Sequence, residues 1–506
     1  MNLKYSAFLI GLLLLVVSGV AAQTTQRQPS TKPSPSPPTK PTTVTTAIPR
    51  PPRAPVPLAI VNGQTLTSAD IDPEVREEVD RLDDNIADAK RQILEMQINT
   101  TLLQLEAERR RISTQQLYEA EIVKRVTKPS EAEIQKVMDE NRERFHGIEP
   151  ATVRSQVEDA LRSEREGQLA EQLVTKLRVV HTVVPGANPA TPNLGPSVVL
   201  ATVGGRAITV GSLAERLKPI IYRLRFSAYL LQREAVDQTI NNLLLLAEAS
   251  RRNVPPEAIV RAEVSDKIRR PSETEVAKFY EDNKAQINSE LDSVRNELAE
   301  YLVDQDQLRL ENELALRLRA NAKIQLLLTE PEQPVQIINV DGSPARGEVN
   351  APVTVVKFTD FECSSCAAMH LILEEVLKSY GGKVRFVVRD FPLPRHQHAR
   401  KAAEAARAAH AQGKFFEYTA LLYQRQNALD IPSLKKYASE LGLDRKLFDS
   451  ALDSGTYEAQ VRRGLEDGEV YGVTGTPTIF INGVRLRELS AEGLRNAIDR
   501  ALKSPK

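Results

Sequence analysis

A single offset of 142 residues carries one stretch of this chain onto another. Leu58 to Thr67 (LAIVNGQTLT) falls on Leu200 to Thr209 (LATVGGRAIT). The same shift places Glu106 and Ala107 on Glu248 and Ala249, Pro129 to Glu131 on Pro271 to Glu273, and Asn141 on Asn283. One offset held across about eighty residues marks a tandem duplication, so whatever the first copy folds into, the second repeats.

Each copy reads as mostly helical. Leu94, Ile98, Leu102 and Leu105 recur at helical spacing, and Val236, Ile240, Leu244 and Ala247 repeat the stripe. Asn62-Gly63 and Gly204-Gly205 suit tight hairpin turns. Thr67 followed by Asp70 can cap the next helix. Charged helices are expected from Glu131 to Phe145 and from Val153 to Leu177, with second-copy counterparts from Glu273 to Leu328. Prolines 185, 189, 192 and 196 mark a linker, and Pro331 and Pro334 another. The expected domains are therefore 58–180, a linker 181–199, 200–328, and a last domain 329–506.

The Val-x-Gly-x-x-Ile/Leu-Thr opening, the Glu-Ala of the central helix and the Pro-Ser-Glu start of a later helix resemble the N-terminal domain of SurA-like and PrsA-like exported chaperones. The resemblance implies a cradle for unfolded exported chains. Helices that merely space or dimerise the last domain are the alternative. A prolyl-isomerase insert, frequent in those families, has no room within or between the copies.

The N-terminus reads as an export signal over residues 1–22. Lys4 is basic, Ala7 to Val17 is apolar, and Val20-Ala21-Ala22 offers small residues for cleavage. The apolar run is shorter than the roughly 20 residues of a spanning helix; an uncleaved anchor is the alternative. Residues 23–57, rich in Pro, Thr and Ser, cannot build a core and read as an extended spacer. The expected location is periplasmic or otherwise extracytoplasmic. With 67 basic and 67 acidic residues, nothing in the charge favours nucleic acid.

Export bears on the cysteines. The chain has two, Cys363 and Cys366, in a C-x-x-C unit. A disulfide across so short a loop gives little entropic stabilisation, so a staple explains it poorly. A zinc site takes four ligands, and none of the six histidines stands at ligand spacing. Redox chemistry remains, with no metal and no cofactor expected.

The last domain reads as α/β. Strands are expected at Val335–Val340, Val353–Phe358, Lys383–Arg389, Thr478–Ile481 and Val484–Arg487. Helices are expected from Cys363, over Arg400–Ala411, Phe415–Arg425, Pro432–Leu441 and Arg445–Asp453, and at Ala491–Leu502. The fold class is thus multidomain: two mostly α-helical repeats, then an α/β domain with an inserted helical block.

Ala351 to Val353, Phe358 to Cys366, Arg389 to Leu393, His398, Ala402 to Ala409, Gln412 to Phe416 and Gly475 to Gly483 follow one another in the order of the DsbA-like branch of the thioredoxin superfamily, which this region resembles. The resemblance implies a thioredoxin-like fold and thiol–disulfide exchange. It makes Cys363, at a helix start, the exposed nucleophile and Cys366 the buried resolving thiol. It also implies a cis bond between Thr476 and Pro477, with Thr476 offering backbone to an extended client; a trans proline is the alternative. Two departures bear on the potential. Ser364 and Ser365 stand between the cysteines, offering hydroxyls only. Lys357 stands where relatives commonly carry an acid; its ammonium would favour thiolate if near, or it could snorkel to solvent. Asp360 and Glu362 read as solvated loop acids, with substitution for that missing acid as the alternative, and His370, His396, His398 and His410 read as surface residues.

The expected function is an exported thiol–disulfide oxidoreductase acting on unfolded or cysteine-containing exported proteins, with its electron direction open. Its partners would include a redox protein that recycles the pair and, by analogy, a second copy in a homodimer. A non-catalytic holdase that uses the α/β domain only to bind peptides is the alternative.

Overall fold

The structure, a computed structural model, describes residues 54–503 apart from 143–144, 146–148, 285–286 and 288. The expected signal and almost all of the expected spacer lie outside the described residues. In chain order, the helical part runs β1 (Pro57–Val61), β2 (Gln64–Thr67), α1 (Pro73–Asp80), α2 (Leu82–Arg110), α3 (Thr114–Glu121), α4 (Glu131–Glu140) and α5 (Pro150–Val180). It continues with β3 (Val183–Pro185), β4 (Val199–Val203), β5 (Arg206–Thr209), α6 (Val210–Arg252), α7 (Pro256–Glu263), α8 (Glu273–Asn283), α9 (Leu291–Ala320) and β6 (Ile324–Leu326).

Residues at the repeat offset use the same local devices. Asn62 and Gly63 turn the first hairpin at φ 50° and 88°, and Gly204 and Gly205 the second at 52° and 84°. These are the left-handed values that a two-residue hairpin loop demands. Ser130 with Glu133 and Ser272 with Glu275 form capping boxes at the starts of α4 and α8. Glu106 binds Arg109 and Arg110, as Glu248 binds Arg251 and Arg252.

Packing crosses the expected copy boundaries. β1 pairs with β2 and, on its other edge, with β6 from the far end of the second copy. Leu58, Ala59, Val61 and Leu66 of that hairpin bury against Val236, Ile240 and Leu244 of α6. The second hairpin does the reverse: β4 pairs with β3, and Leu200, Ala201, Val203 and Ile208 bury against Leu94, Ile98 and Leu102 of α2. Two compact units result. One holds residues 85–223 and 332–503, the other 54–84 and 224–331.

Three local expectations are corrected. The second-copy charged helices, expected as far as Leu328, end at Ala320, and Ile324–Leu326 is the strand β6. α1 opens at Pro73 under an Asp72 cap, while Asp70 instead accepts from the Thr67 backbone N–H. Ala247 of the second stripe is exposed, and Ala249 is buried in its place.

The C-terminal part runs β7 (Ala345–Arg346), β8 (Val353–Thr359), α10 (Ser364–Lys378), β9 (Val384–Asp390), α11 (Ala399–Ala411), α12 (Phe415–Gln424), α13 (Ile431–Glu440), α14 (Arg445–Asp453), α15 (Glu458–Val470), β10 (Thr478–Ile481), β11 (Val484–Arg485) and α16 (Ala491–Lys503). The sheet order is β11-β10-β8-β9-β7. β8 and β9 are parallel, which requires a crossover, and α10 supplies it. Alternation sends Val353, Val355, Phe386 and Ile479 to one core, and Val356, Phe358, Val387 and Phe480 to another. A sheet buried on both faces explains the continuous apolar run of β8.

Two further corrections concern this part. Residues 335–340 form no strand; Gln336 N–H reaches the Gly483 carbonyl at 2.9 Å, and the fifth strand is Ala345–Arg346. Helix α15 was unexpected. It carries Gly464 and Gly468 because a Cβ there would stand 2.6 Å from the Asp390 carbonyl oxygen and 2.7 Å from the Phe391 ring.

Candidate dithiol site

β8 ends at Thr359, and the loop Asp360–Glu362 delivers Cys363 to the N-cap of α10. Both cysteines carry free thiols. Cys363 is 5% exposed and Cys366 fully buried. The expectation of an open nucleophile is thereby corrected: Thr476 covers Cys363, whose Sγ donates to the Thr476 carbonyl at 3.4 Å. The Thr476–Pro477 bond is cis. Gln426, just past the C-terminal end of α12, fixes the loop by donating Nε2 to the carbonyls of Phe361 at 2.8 Å and Cys363 at 2.9 Å.

The two sulfurs are driven apart in acidity. A hydrogen bond from Cys366 holds the Cys363 thiol down at about 5, against the cost of burial; Thr476 and the Cys366 N–H add to it. That N–H, in the first turn of α10, also donates to the Cys363 carbonyl at 3.0 Å. Burial, and then the same bond to Cys363, pushes the Cys366 thiol well above the usual range. Ser364 and Ser365 lie exposed on the first turn.

Lys357 does not snorkel. Its side chain is 1% exposed on β8, and its Nζ donates to the Cys366 carbonyl at 3.2 Å and to Tyr423 Oη at 3.3 Å. The ammonium also lies 4.6 Å from the Tyr423 ring centroid. Burial pulls Lys357 down to about 8, opposed by the two cysteines. The Tyr423 hydroxyl shares a 2.7 Å bond with Thr359 Oγ1, and its ring stacks on His370 at 4.8 Å. Burial, then the Lys357 charge, pushes the His370 imidazole down.

Asp360 is no solvated loop acid. It is 1% exposed and accepts from the Glu362 and Leu393 N–H groups while pairing with His396 Nδ1 at 2.8 Å. Glu362 accepts from the His398 N–H at 2.7 Å. His370 and His396 are thus ring-stacked or ion-paired rather than free surface residues, while His410 is exposed. Among the described residues, no group of three or more His, Cys, Asp or Glu is placed to hold a metal ion.

Sequence reasoning missed Tyr423, Thr359 and Gln426. Thr359 had a signal: on a strand it shares a face with Lys357, two residues earlier. Tyr423 and Gln426 had none, because only the packing of α12 against β8 and α10 brings them in.

Residues 339–500 match the family described as Thioredoxin. This part of the chain is a thioredoxin-like α/β domain. Among proteins with similar sequence is the Na(+)/H(+) antiporter NhaA of Herminiimonas arsenicoxydans, 39% identical over 142 residues, which cover 28% of this chain and 22% of that protein. The chain spans about a quarter of the length of the curated relatives it matches. Solved structures similar to it include a thioredoxin-like oxidoreductase from Silicibacter pomeroyi (25% identity, 32% of this chain, 94% of that chain, TM-score 0.30). Oxidised BdbD from Bacillus subtilis is another (22% identity, 34% of this chain, 100% of that chain, TM-score 0.31). Among the described residues, no helix is long and apolar enough to cross a membrane.

The chemistry open to the dithiol of this thioredoxin-like domain is nucleophilic attack by Cys363, since thiolate is the reactive form. Alkylation of the reduced protein by a neutral haloacetamide is expected to rise with pH about a midpoint near 5. A midpoint at the ordinary value of roughly 8.5 would mean that the pair does not stabilise the thiolate. The sign of the stability effect follows. Between the folded value near 5 and the ordinary thiol value, the unfolded chain binds more protons at Cys363, so this residue stabilises the reduced fold increasingly as pH rises. The contribution is fully present above the unfolded value and is lost as pH falls through about 5.

Proposed function

We propose that this chain is an exported thiol–disulfide exchange enzyme that oxidises thiols of unfolded, cysteine-containing proteins. The observation that carries the reading is the split between the two sulfurs: Cys363 held at about 5 beside a Cys366 pushed up. A stabilised thiolate stabilises the dithiol, and a pair whose reduced form is stabilised draws electrons from its partners. Cys363 is the sulfur a client thiolate attacks, and Cys366 is the leaving and resolving sulfur. The Thr476–Pro477 segment, facing Cys363, offers backbone to an extended client. The helical copies, a tandem duplication resembling exported chaperones, hold clients for the dithiol. A second redox protein re-oxidises the pair.

The test mixes the oxidised full chain with a reduced two-cysteine peptide, without oxygen. One peptide disulfide is expected per dithiol formed. Equilibration with glutathione is expected to place the pair nearer about −120 mV than about −270 mV. Absence of any transfer sinks the activity; a potential near the lower figure reverses its direction.

A further inference from the structure

The duplication gives the chain an internal comparison. The 142-residue offset lays the first turns of α6 on α1. Leu213 and Leu217 stand for Ile71 and Val75, and each pair joins the apolar cluster that buries a hairpin. A second stripe differs. Arg216, Pro219 and Tyr222, three apart and so on one helix face, stand where the first copy has Glu74, Glu77 and Asp80. Three acids suit a solvated face. Arginine, proline and tyrosine do not repeat that choice. A proline inside a helix removes a bond of the ladder and is the least favoured residue there, so Pro219 needs another reason.

That reason lies in the dithiol domain, which shares a compact unit with residues 85–223. Gly472, just past α15, has φ 78°, and a Cβ on it would stand 2.5 Å from Pro219 Cβ. The Tyr222 hydroxyl accepts from Arg487 Nη2, and the Arg487 guanidinium lies 5.7 Å from the Tyr222 ring centroid. Burial pushes the Glu469 carboxyl, three residues before Gly472, up to about 7, with the Arg216 charge pulling it back. The stripe therefore faces a dry seam. From Gly472 the contacts run on towards the sulfurs. Arg485 donates to the Gly472 carbonyl at 3.2 Å and to Thr478 Oγ1 at 3.4 Å, and Thr478 Oγ1 donates to the Gly475 carbonyl at 2.7 Å. The next residue is Thr476, whose carbonyl takes the Cys363 thiol.

We propose that Pro219 and Tyr222 are positioning residues for thiol exchange: α6 braces the loop that presents Thr476 to a client. The inference rests on the exchange activity proposed above. Gly472 and Gly475 make this loop permissive, and an extended client pairs only with backbone held at strand spacing. A brace on Gly472 removes that freedom before the client arrives, which favours binding. It leaves the chemistry of the sulfurs alone.

The oxidised full chain is tested against two reductants: a two-cysteine peptide, and dithiothreitol, which has no backbone to pair with Thr476. Each gives up two electrons to the Cys363–Cys366 disulfide and becomes a disulfide itself. Pro219→Ala and Tyr222→Ala are each expected to raise the KM for peptide roughly 3- to 10-fold, the loss that newly mobile residues cause at a binding site. Their kcat with peptide and their rate with dithiothreitol are expected to stay within about 2-fold of wild type, as for a loss of binding alone. Tyr222→Phe keeps the ring under the Arg487 guanidinium and is expected to hold the wild-type KM within ~2-fold. The triple change Arg216→Glu, Pro219→Glu and Tyr222→Asp, which carries the first copy's residues, is expected to give the largest rise in KM. It is also expected to speed amide exchange from Val473 to Thr476. A triple variant with the wild-type KM and unchanged exchange in that loop overturns the brace. So do equal losses with peptide and dithiothreitol, which mean damage to the dithiol itself. A wild-type chain that oxidises neither reductant overturns the exchange activity instead, and amide exchange of the loop still decides whether α6 holds it.

Discussion

Replacing Cys366 by alanine is expected to turn a fleeting mixed disulfide into a product that can be isolated, linked through Cys363. With the resolving sulfur gone, the adduct waits for an outside thiol, and uncatalysed rearrangement takes minutes to hours. Cys363→Ser is expected to form no adduct and to drop peptide oxidation to background. Cys366 is fully buried and its thiol is pushed up, so it cannot take over attack at neutral pH. Non-reducing gels of extracts, with mass spectrometry of the linked peptides, read both outcomes. Adducts through Cys366 in the Cys363→Ser chain would reverse the assignment of the two sulfurs.

The largest stability effect is expected beside the site, at Asp390. It closes β9 fully buried and binds the Arg407 Nε of α11 at 2.6 Å. Arg407, itself 5% exposed, also donates to the Gly342 carbonyl at 3.0 Å. Asp390→Ala strands that guanidinium without a counter-charge, for about 3–5 kcal/mol of destabilisation. The carboxylate is imperfectly served, since Asp390 Oδ1 is buried with no hydrogen-bond partner. Joint replacement by apolar residues, Asp390→Leu with Arg407→Met, is therefore expected to recover most of the loss. Urea titration read by amide exchange of the β9 residues measures both. Equal losses in the single and double variants would mean that the pair is net stabilising.

Much of the fold is legible because local chemistry and global packing agree. Asn62-Gly63 and Gly204-Gly205 name their turns, Ser130 and Ser272 their helix starts, and the apolar run at Val353 a strand covered on both faces. α15 was hidden by its own packing: Gly464 and Gly468 weaken helix propensity, yet only glycine lets the helix approach Asp390 and Phe391. The exchange of hairpins was hidden by the duplication. β1 and β4 share one burial pattern, so no apolar stripe distinguishes its own copy's hairpin from the other's. At the site, the spacing of Cys363 and Cys366 foretells a helix N-terminus. The burial of Lys357 depends on Tyr423, which arrives from a helix more than sixty residues on.

The exchanged hairpins also set a timetable. β1 leaves the ribosome, and crosses any membrane, long before β6 exists; Lys323 N–H bonds the Asn62 side chain 261 residues upstream. At typical synthesis rates of about 5–20 residues per second, the first hairpin waits roughly 13 to 50 seconds for the strand that pairs with its free edge. The end of the second copy, rather than its beginning, thus completes the sheet that the first strand opens.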